Sequence, residues 1–259
     1  MEIADKNIDG GKPFDWGKTS SDYAKFRDIY PPVFYEKILE RGLCIKGQKA
    51  LDIGTGTGVI PRSMYKYGAD WTAADISENQ IKQAKLLSDG MNIHYITASA
   101  EEMNFNDNSF DIITACQCFF YFDHEKVMPK LYRILKPGGS ILILYMAWLP
   151  FEDKIASESE KTVLKYNSQW SGAGETMHAI YIPDCYNEKF SLVYREEYRI
   201  NIPFTRESWN GRIKSCRGIG ASLDEKETWE KEHKEMLEKI SPPEFEVLHY
   251  GAVAELKKL

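Results

Sequence analysis

Apolar and polar positions alternate in two patterns between residues 49 and 145. Short apolar runs predict strands at residues 50–53, 70–75, 92–97, 110–116 and 140–145, and helical spacing predicts helices between most of them. Residues 77–80, Ser-Glu-Asn-Gln, form a capping-box pattern before Ile81, Ala84 and Leu87, which recur at helical spacing. Strands that alternate with helices in this way predict βαβ units and a mostly parallel sheet with helices on both faces.

The pattern changes after Pro150. Residues 152–166 are predicted as a helix, 171–174 as a loop and 191–202 as a strand. Two further helices follow, the second over about 223–240, before a last strand over 246–256. A helix is also predicted to begin near Val33, directly after two prolines. The whole chain is therefore interpreted as one α/β domain.

Composition and charge narrow the class of protein. The 259 residues include 33 Lys and Arg against 39 Asp and Glu, a net charge of −6, which argues against a nucleic-acid partner. The polar amino terminus predicts no secretory signal, and the longest apolar run, 141–149, falls short of the roughly 20 residues of a membrane span. Five scattered cysteines do not form a disulfide framework, so a reducing, cytoplasmic location is expected.

A glycine-rich stretch carries the most informative chemistry. Residues 51–58, Leu-Asp-Ile-Gly-Thr-Gly-Thr-Gly, follow a predicted strand, where glycines let the backbone turn tightly and approach a ligand. Asp75 ends the next strand, where a carboxylate can bind both hydroxyls of a ribose. A nucleoside site is predicted. The dinucleotide pattern Gly-x-Gly-x-x-Gly is not matched, because Gly58 comes one residue early and Val59 stands in its place.

Three segments together resemble a known family. Residues 50–58, the segment 99–111 and the Leu-Lys-Pro-Gly-Gly of residues 135–139 are similar to motifs of the class I S-adenosylmethionine-dependent methyltransferases. Within that family the chain resembles the small-molecule enzymes of the ubiquinone/menaquinone-biosynthesis and trans-aconitate group. The resemblance implies a Rossmann-like, seven-stranded, mostly parallel sheet. It also implies an N-terminal helical cover (1–48), a cofactor-binding core (49–145), a substrate-side insertion after strand five (146–190) and the last strands and helices (191–259).

The resemblance also implies roles for particular residues. The methionine end of S-adenosylmethionine would lie on the glycine loop, its ribose on Asp75, and its adenine against Ile76 and the segment that begins at Ser99. Most family members have Asp where this chain has Ser99, and a serine binds the adenine amino group more weakly. The expected cofactor-binding residues are Asp52, Gly54, Thr55, Gly56, Asp75, Ile76, Ser99, Ala100, Glu101, Cys116 and, from the N-terminal segment, Arg27.

The acceptor side of the site is less constrained. The expected substrate-pocket residues are Gln117, Phe120, Tyr121, Trp170 and Arg206. His124 and His178 are candidate general bases, although His124 suits a helix start equally well and His178 suits an exposed loop. The aromatic residues after strand four fit either an acceptor pocket or packing beneath the next helix. Two cysteines at i, i+2 are too few for a zinc site, and no metal is expected.

These observations lead to one functional hypothesis and two alternatives. The hypothesis is a methyltransferase that uses S-adenosylmethionine and transfers its methyl group to a small molecule by direct in-line displacement. The alternatives are an NAD(P)-dependent oxidoreductase on a similar sheet, which the glycine spacing opposes, and a non-catalytic S-adenosylmethionine-binding sensor. The partner is expected to be a small-molecule acceptor, with neither nucleic acid nor membrane.

Overall fold

The computed structural model describes residues 8–223 and 226–259. The strands are β1 (Lys49–Ile53), β2 (Asp70–Asp75), β3 (Ile93–Thr97), β4 (Phe110–Cys116), β5 (Leu135–Trp148), β6 (Phe190–Thr205) and β7 (Glu244–Lys258). The α-helices are α1 (Ser20–Phe26), α2 (Pro32–Glu40), α3 (Val59–Met64), α4 (Glu78–Leu87), α5 (His124–Ile134), α6 (Lys154–Tyr166), α7 (Arg206–Lys214) and α8 (Lys226–Ile240). Within the described residues, no helix combines the length and the apolar character that crossing a membrane requires.

The seven strands form one sheet in the order β3-β2-β1-β4-β5-β7-β6. β1 pairs in parallel with both β2 and β4, while β2 with β3 and β4 with β5 are also parallel pairs. The chain runs outward from β1 to β3 and then returns to β4 on the other side of β1. The loops after β1 and β4 therefore leave the sheet in opposite directions, which is where open α/β sheets bind ligands.

The predicted seven-stranded, mostly parallel sheet is confirmed, but strand five begins earlier than expected. The helix α5 ends at Ile134, as the following Pro-Gly-Gly sequence predicts. The chain then re-enters the sheet at once, because Leu135 pairs with Phe110 before a register shift restores regular pairing at Ser140. Gly138 has a φ of 71°, which permits the irregular backbone between these two points.

Capping side chains determine where two of the helices begin. The Ser77 hydroxyl accepts a hydrogen bond from the Gln80 backbone N–H at 3.4 Å, which confirms the predicted start of α4. α6 begins at Lys154 instead of residue 152, because the Asp153 carboxylate caps it by accepting the Ala156 N–H at 2.9 Å. α8 begins at Lys226, and two of the residues before it, 224 and 225, lie outside the described part of the chain.

The chain divides into two compact units. The sheet unit contains residues Tyr30–Met146, His178–Tyr198 and Gly251–Leu259, and so holds β1 to β4 with helices α2 to α5. The helical unit contains the described part of Met1–Ile29 together with Ala147–Met177 and Arg199–Tyr250, and so holds α1, α6, α7 and α8. β5, β6 and β7 contribute residues to each unit.

A buried polar network joins three helices of the helical unit. His233 of α8 lies with its Nδ1 2.8 Å from Asn210 Oδ1 of α7 and its Nε2 3.0 Å from Ser159 Oγ of α6. The indole N–H of Trp209 donates to the same serine oxygen at 2.9 Å. The arrangement has the spacing of a nucleophile, a base and an orienting amide, but Ser159 and His233 are both 0% exposed. It therefore stabilises helix packing and gives no substrate access.

The network predicts how stability depends on pH. Burial lowers the pKa of His233 from 6.5 to about 3. Between pH 6.5 and 4.5 the unfolded chain therefore binds a proton at this position that the folded chain does not. The free energy of unfolding should fall there by about 1.4 kcal/mol per pH unit because of this residue. Urea titrations across this range should show a smaller decrease for His233→Gln, although that variant is less stable at pH 7. Parallel pH profiles for the two proteins would contradict this assignment.

Candidate functional site

The glycine loop after β1 has the backbone conformation that its sequence requires. Gly54, Gly56 and Gly58 have φ angles of 62°, 56° and 75°, all in the left-handed region that favours glycine. The Thr55 N–H donates to the Ala74 carbonyl of β2 at 2.9 Å, which fixes the loop beside the end of the neighbouring strand. The loop therefore lies at the carboxyl edge of the sheet, where Gly54 and Gly56 are partly exposed and Thr55 and Thr57 are buried.

Two of these glycines also leave no space for a side chain. A Cβ on Gly54 would lie 2.7 Å from the Sγ of Cys118, in the segment after β4. A Cβ on Gly58 would lie 2.5 Å from the Tyr95 hydroxyl of β3. The Cys118 thiol itself donates to the Ile53 carbonyl at 3.0 Å. The loop after β1 is thus packed between Tyr95, in the middle of β3, and Cys118, two residues beyond the end of β4.

Asp75 holds the loop from the end of β2. One carboxylate oxygen accepts the Gly56 N–H and the other accepts the Ser77 N–H, each at 2.8 Å. Burial raises the pKa of Asp75, while these two backbone donors act in the opposite direction. Each carboxylate oxygen has two lone pairs, so the group can still accept two hydroxyl protons, such as those of a ribose.

Asp52 lies inside the sheet beneath the same loop. Its carboxyl is 2% exposed and accepts a hydrogen bond from the Thr114 hydroxyl of β4 at 2.5 Å. Burial raises the pKa of Asp52 to about 7, and the charge of Asp75 acts in the same direction. The side chain therefore ties β1 to β4 at the switch point.

The residues expected at the adenine lie in the segments after β2 and β3. Ile76 and Ser99 are half-buried and Ala100 is buried. The Glu101 carboxylate accepts the backbone N–H of Asp123 at 3.1 Å, directly before α5. Glu101 thereby connects the segment after β3 to the segment after β4.

The segment after β4 supplies polar and aromatic groups. The Cys116 thiol donates to the Tyr30 hydroxyl at 3.5 Å, and Gln117, with a φ of 64°, donates its side-chain N–H to the Met146 carbonyl. Phe120 is 55% exposed, and its ring lies 4.3 Å from that of Tyr121, centroid to centroid. Phe120 therefore faces outward and does not pack beneath α5.

The two candidate bases have different environments. His124 is half-buried, with its Nδ1 3.2 Å from the Tyr186 hydroxyl and its ring 4.5 Å from that of Phe119. Burial lowers the pKa of His124, so it is neutral at pH 7. His178 is exposed, its Nδ1 lies 2.9 Å from the Ala179 carbonyl and its ring lies beside Tyr145. A catalytic role stays a prediction for both.

Three of the expected site residues belong to the helical unit. Trp170 is 6% exposed and packs tightly against Gly172 and Gly218. Arg206 donates to the carbonyls of Glu238 and Ser241 at the end of α8, where a cation is favourable because of the helix dipole. These contacts support structural roles for Trp170 and Arg206, so their substrate-pocket roles stay predictions. Arg27 is half-buried and donates to the Cys216 thiol.

Sequence reasoning left out two residues that the structure places at the loop. Cys118 contacts Gly54, and Thr114 binds Asp52. One signal in the sequence could have indicated these two residues: they lie in, or just after, the end of a predicted strand that the expected sheet order places beside β1. Their contacts are made across strands that are distant in sequence.

A depression of about 380 Å³ lies elsewhere in the sheet unit. It is lined by residues at or beside the amino ends of the strands, namely Lys49, Asp70, Thr72, His94, Asn104, Phe105, Asn106, Ser109 and Phe110. This is the opposite end of the strands from the glycine loop. Open α/β sheets bind their ligands outside the carboxyl ends, so we place the functional site at the loop.

The close approach of Cys118 to Gly54 can be tested by comparing Gly54 with Gly90, a glycine that also has a left-handed backbone. Gly54→Ala and Gly90→Ala both force an alanine into a left-handed backbone, at a cost of about 1 kcal/mol each. Around Gly90 nothing lies within 4 Å of the added Cβ, whereas at Gly54 it meets Cys118. Gly54→Ala should therefore lower the free energy of unfolding by a further ~1–3 kcal/mol in urea titrations. Equal losses in the two variants would contradict the packing described.

The raised pKa of Asp52 also predicts how the free energy of unfolding depends on pH. The folded carboxyl holds its proton to about pH 7, whereas the unfolded carboxyl loses it near 3.8. The protonated Asp52 carboxyl therefore adds to the free energy of unfolding at low pH, and this contribution is lost as the pH rises. Relative to Asp52→Asn, the wild-type protein should lose about 1.4 kcal/mol per pH unit between pH 5 and 7. A difference between the two proteins that does not change with pH would refute the protonated carboxyl.

The central part of the chain matches a known family. The model of the methyltransferase domain family matches residues 51–143. The ubiquinone/menaquinone biosynthesis C-methyltransferase of Psychromonas ingrahamii is 39% identical over 107 residues, which cover 38% of this chain and 43% of that protein. The corresponding enzyme of Vibrio campbellii is 37% identical over 106 residues, covering 38% and 41%. The match thus spans about two fifths of the length of these curated relatives.

Solved structures extend the likeness to most of the fold. A Bacillus halodurans protein assigned as a methyltransferase aligns with a TM-score of 0.53 at 17% identity, covering 86% of this chain and 97% of that one. The YcgJ protein of Bacillus subtilis aligns with a TM-score of 0.53 at 16% identity, covering 88% and 99%. At these identities the likeness shows a common fold. Residues 51–143 are therefore similar to the methyltransferase domain family, which confirms over that segment the resemblance that the motifs predicted, and most of the chain shares the fold of these two structures.

Proposed function

We propose that this chain is an S-adenosylmethionine-dependent methyltransferase that transfers a methyl group to a small-molecule acceptor by direct in-line displacement. The observation that carries the proposal is the pairing of Asp75 with the glycine loop. Its carboxylate lies at the end of β2 and binds the Gly56 N–H at 2.8 Å, so the ribose acceptor and the loop backbone form one surface. The methyltransferase family match over residues 51–143 covers both parts of that surface.

The residues present fit the cofactor. Gly54 and Gly56 have no Cβ and offer a bare backbone for the methionine end, while Asp75 retains acceptor capacity for the ribose hydroxyls. Asp52 and Thr55 would support the loop, and Cys116 would flank the cofactor from the end of β4. Ile76, Ser99, Ala100 and Glu101 would surround the adenine.

The cofactor, when bound, supplies an activated methyl group on a positively charged sulfur. The protein's task is to align the acceptor with that methyl group and to exclude water. The segment after β4 suits this task, because Gln117 is fixed by its bond to the Met146 carbonyl and the rings of Phe120 and Tyr121 lie beside it in sequence. A neutral His124 could accept a proton from the acceptor if that acceptor is not already an anion.

The alternatives carry less support. An NAD(P)-dependent oxidoreductase needs a third glycine where this chain has Val59, and Val59 is buried as the first residue of α3. A non-catalytic sensor would not require the outward-facing aromatic residues after β4. The net charge of −6 favours a small-molecule acceptor over nucleic acid. The five free cysteines favour a reducing, cytoplasmic setting, and we treat residues 1–259 as one functional domain.

The ribose-binding role of Asp75 has a direct test in calorimetry with S-adenosylhomocysteine. Asp75→Asn keeps the size of the side chain but replaces one oxygen with a donor and removes the charge, so the affinity should fall by about 10- to 100-fold. Asp70→Asn, at the exposed start of the same strand, is the matched control and should bind as the wild type does. Equal affinity in the Asp75 variant would refute the assignment, as would tight binding of NADH with none of S-adenosylhomocysteine.

A further inference from the structure

The depression at the amino ends of the strands has no role in the proposed function. It lies within the sheet unit, and its volume of about 380 Å³ is in the range of pockets that hold small ligands. Its lining comes from four polar side chains of β1, β2 and β3 and from residues in and directly before the start of β4. None of these residues belongs to the glycine loop or to the segments after β2 and β4.

The strand register places the four polar side chains on one face of the sheet. Lys49 pairs with Asp70 across β1 and β2, and Thr72 pairs with His94 across β2 and β3. Paired residues of parallel strands point to the same face, and so do Asp70 and Thr72, which are two positions apart. An ammonium, a carboxylate, a hydroxyl and an imidazole therefore lie together on strands that are about 4.8 Å apart.

The two opposite charges of this group do not pair with each other. Across the described residues, neither the Lys49 ammonium nor the Asp70 carboxylate forms an ion pair or a hydrogen bond, and both side chains are exposed. The neighbouring carboxylate of Asp111 is already paired, because its two oxygens accept from the Lys136 ammonium at 2.9 and 2.8 Å. An ammonium beside a carboxylate at the spacing of neighbouring strands matches a small molecule that carries both charges.

The aromatic part of the lining is held in place by Arg133 of α5. Phe105 is half-buried, and its ring lies 5.0 Å from the ring of the buried Phe110, edge to face. The Arg133 guanidinium donates to the Phe105 carbonyl at 2.8 Å and to the Asp107 carboxylate at 2.6 Å. The segment is therefore fixed before a ligand arrives, so an apolar group can pack on Phe105 without the entropic cost of ordering a loop.

We propose that this depression is a second ligand site, which binds a small zwitterion of the α-amino acid class with an apolar side chain. The ligand's carboxylate accepts from the Lys49 ammonium, its ammonium donates to the Asp70 carboxylate, and its side chain packs on Phe105. Thr72 and His94 lie beside the two charges and offer further hydrogen bonds. The proposal does not rest on the proposed function, because it uses none of the residues assigned to the cofactor.

Calorimetric titration of the full chain with L-phenylalanine and L-leucine tests the proposal. At least one should bind, with a dissociation constant in the roughly millimolar range that is usual for so small a ligand. Each amino acid is compared with an amine that lacks the carboxylate (phenethylamine or isoamylamine) and an acid that lacks the ammonium (3-phenylpropanoate or 4-methylpentanoate). Both analogues should bind about tenfold more weakly than the amino acid, because each leaves one charged side chain without a partner.

Variants connect that binding to the two charges. In Lys49→Gln the amine should bind as well as the amino acid, and in Asp70→Asn the acid should do so, because in each case the additional charge of the amino acid has lost its partner. Both side chains are exposed, so neither substitution removes a buried contact. The matched controls are Lys85→Gln and Asp89→Asn, which change exposed charges outside the depression and should leave every affinity unchanged.

A competition experiment separates this site from the glycine loop. S-Adenosylhomocysteine itself ends in an amino acid group, so a free amino acid could also bind where the cofactor is proposed to bind. In an excess of S-adenosylhomocysteine, binding at the depression should persist with unchanged affinity. If S-adenosylhomocysteine does not bind at all, the proposed function fails, and the Lys49 and Asp70 variants still decide where the amino acid binds.

Four outcomes would overturn the proposal. The first is the absence of binding by both amino acids at about ten times the expected dissociation constant. The second is equal binding of either single-charge analogue to the wild-type protein. The third is a preference for the amino acid that survives both Lys49→Gln and Asp70→Asn. The fourth is displacement of the amino acid by S-adenosylhomocysteine.

Discussion

The hydrogen bond between the Gly56 N–H and the Asp75 carboxylate is the contact on which the site depends. It fixes the loop after β1 to the end of β2, so that the Asp75 carboxylate and a bare glycine backbone lie side by side. Cys118 closes the loop from the other side, because its thiol occupies the space that a side chain on Gly54 would need. Beneath both, Asp52 and Thr114 tie β1 to β4 at the switch point of the sheet.

Local sequence patterns predicted the parts of this arrangement that depend on local physics. The strand ends, the three glycines and Asp75 follow from hydrophobic periodicity and from conformations that only glycine adopts readily. The contact of Cys118 with Ile53 could not be predicted in this way. It joins residues 65 positions apart, and their proximity depends on β4 returning beside β1. The early start of β5 at Leu135 was missed for a related reason, since pairing with Phe110 outweighs the local preference of Pro-Gly-Gly for a turn.

In the helical unit the local sequence predicts even less about which contacts a polar side chain makes. Arg206 and Arg212 lie on one short helix, and nothing in the local pattern distinguishes them. In the structure Arg206 binds the carbonyls at the end of α8, whereas Arg212 is buried against Trp148 and Cys216. Similarly, Ser159, Asn210 and His233 come from three helices and meet only through tertiary packing. The function of a polar side chain here is decided by which neighbouring helix it faces.

We propose that the cofactor binds at the carboxyl ends of β1, β2 and β4 and not in the depression at the amino ends. Hydrogen exchange measured by mass spectrometry, with and without S-adenosylhomocysteine, tests this most directly. We predict slower exchange in peptides that contain residues 53–58, 75–77 and 116–122, because ligand contacts and reduced opening protect those amides. Protection confined to peptides around His94 and residues 104–110, with none at the glycine loop, would contradict the account.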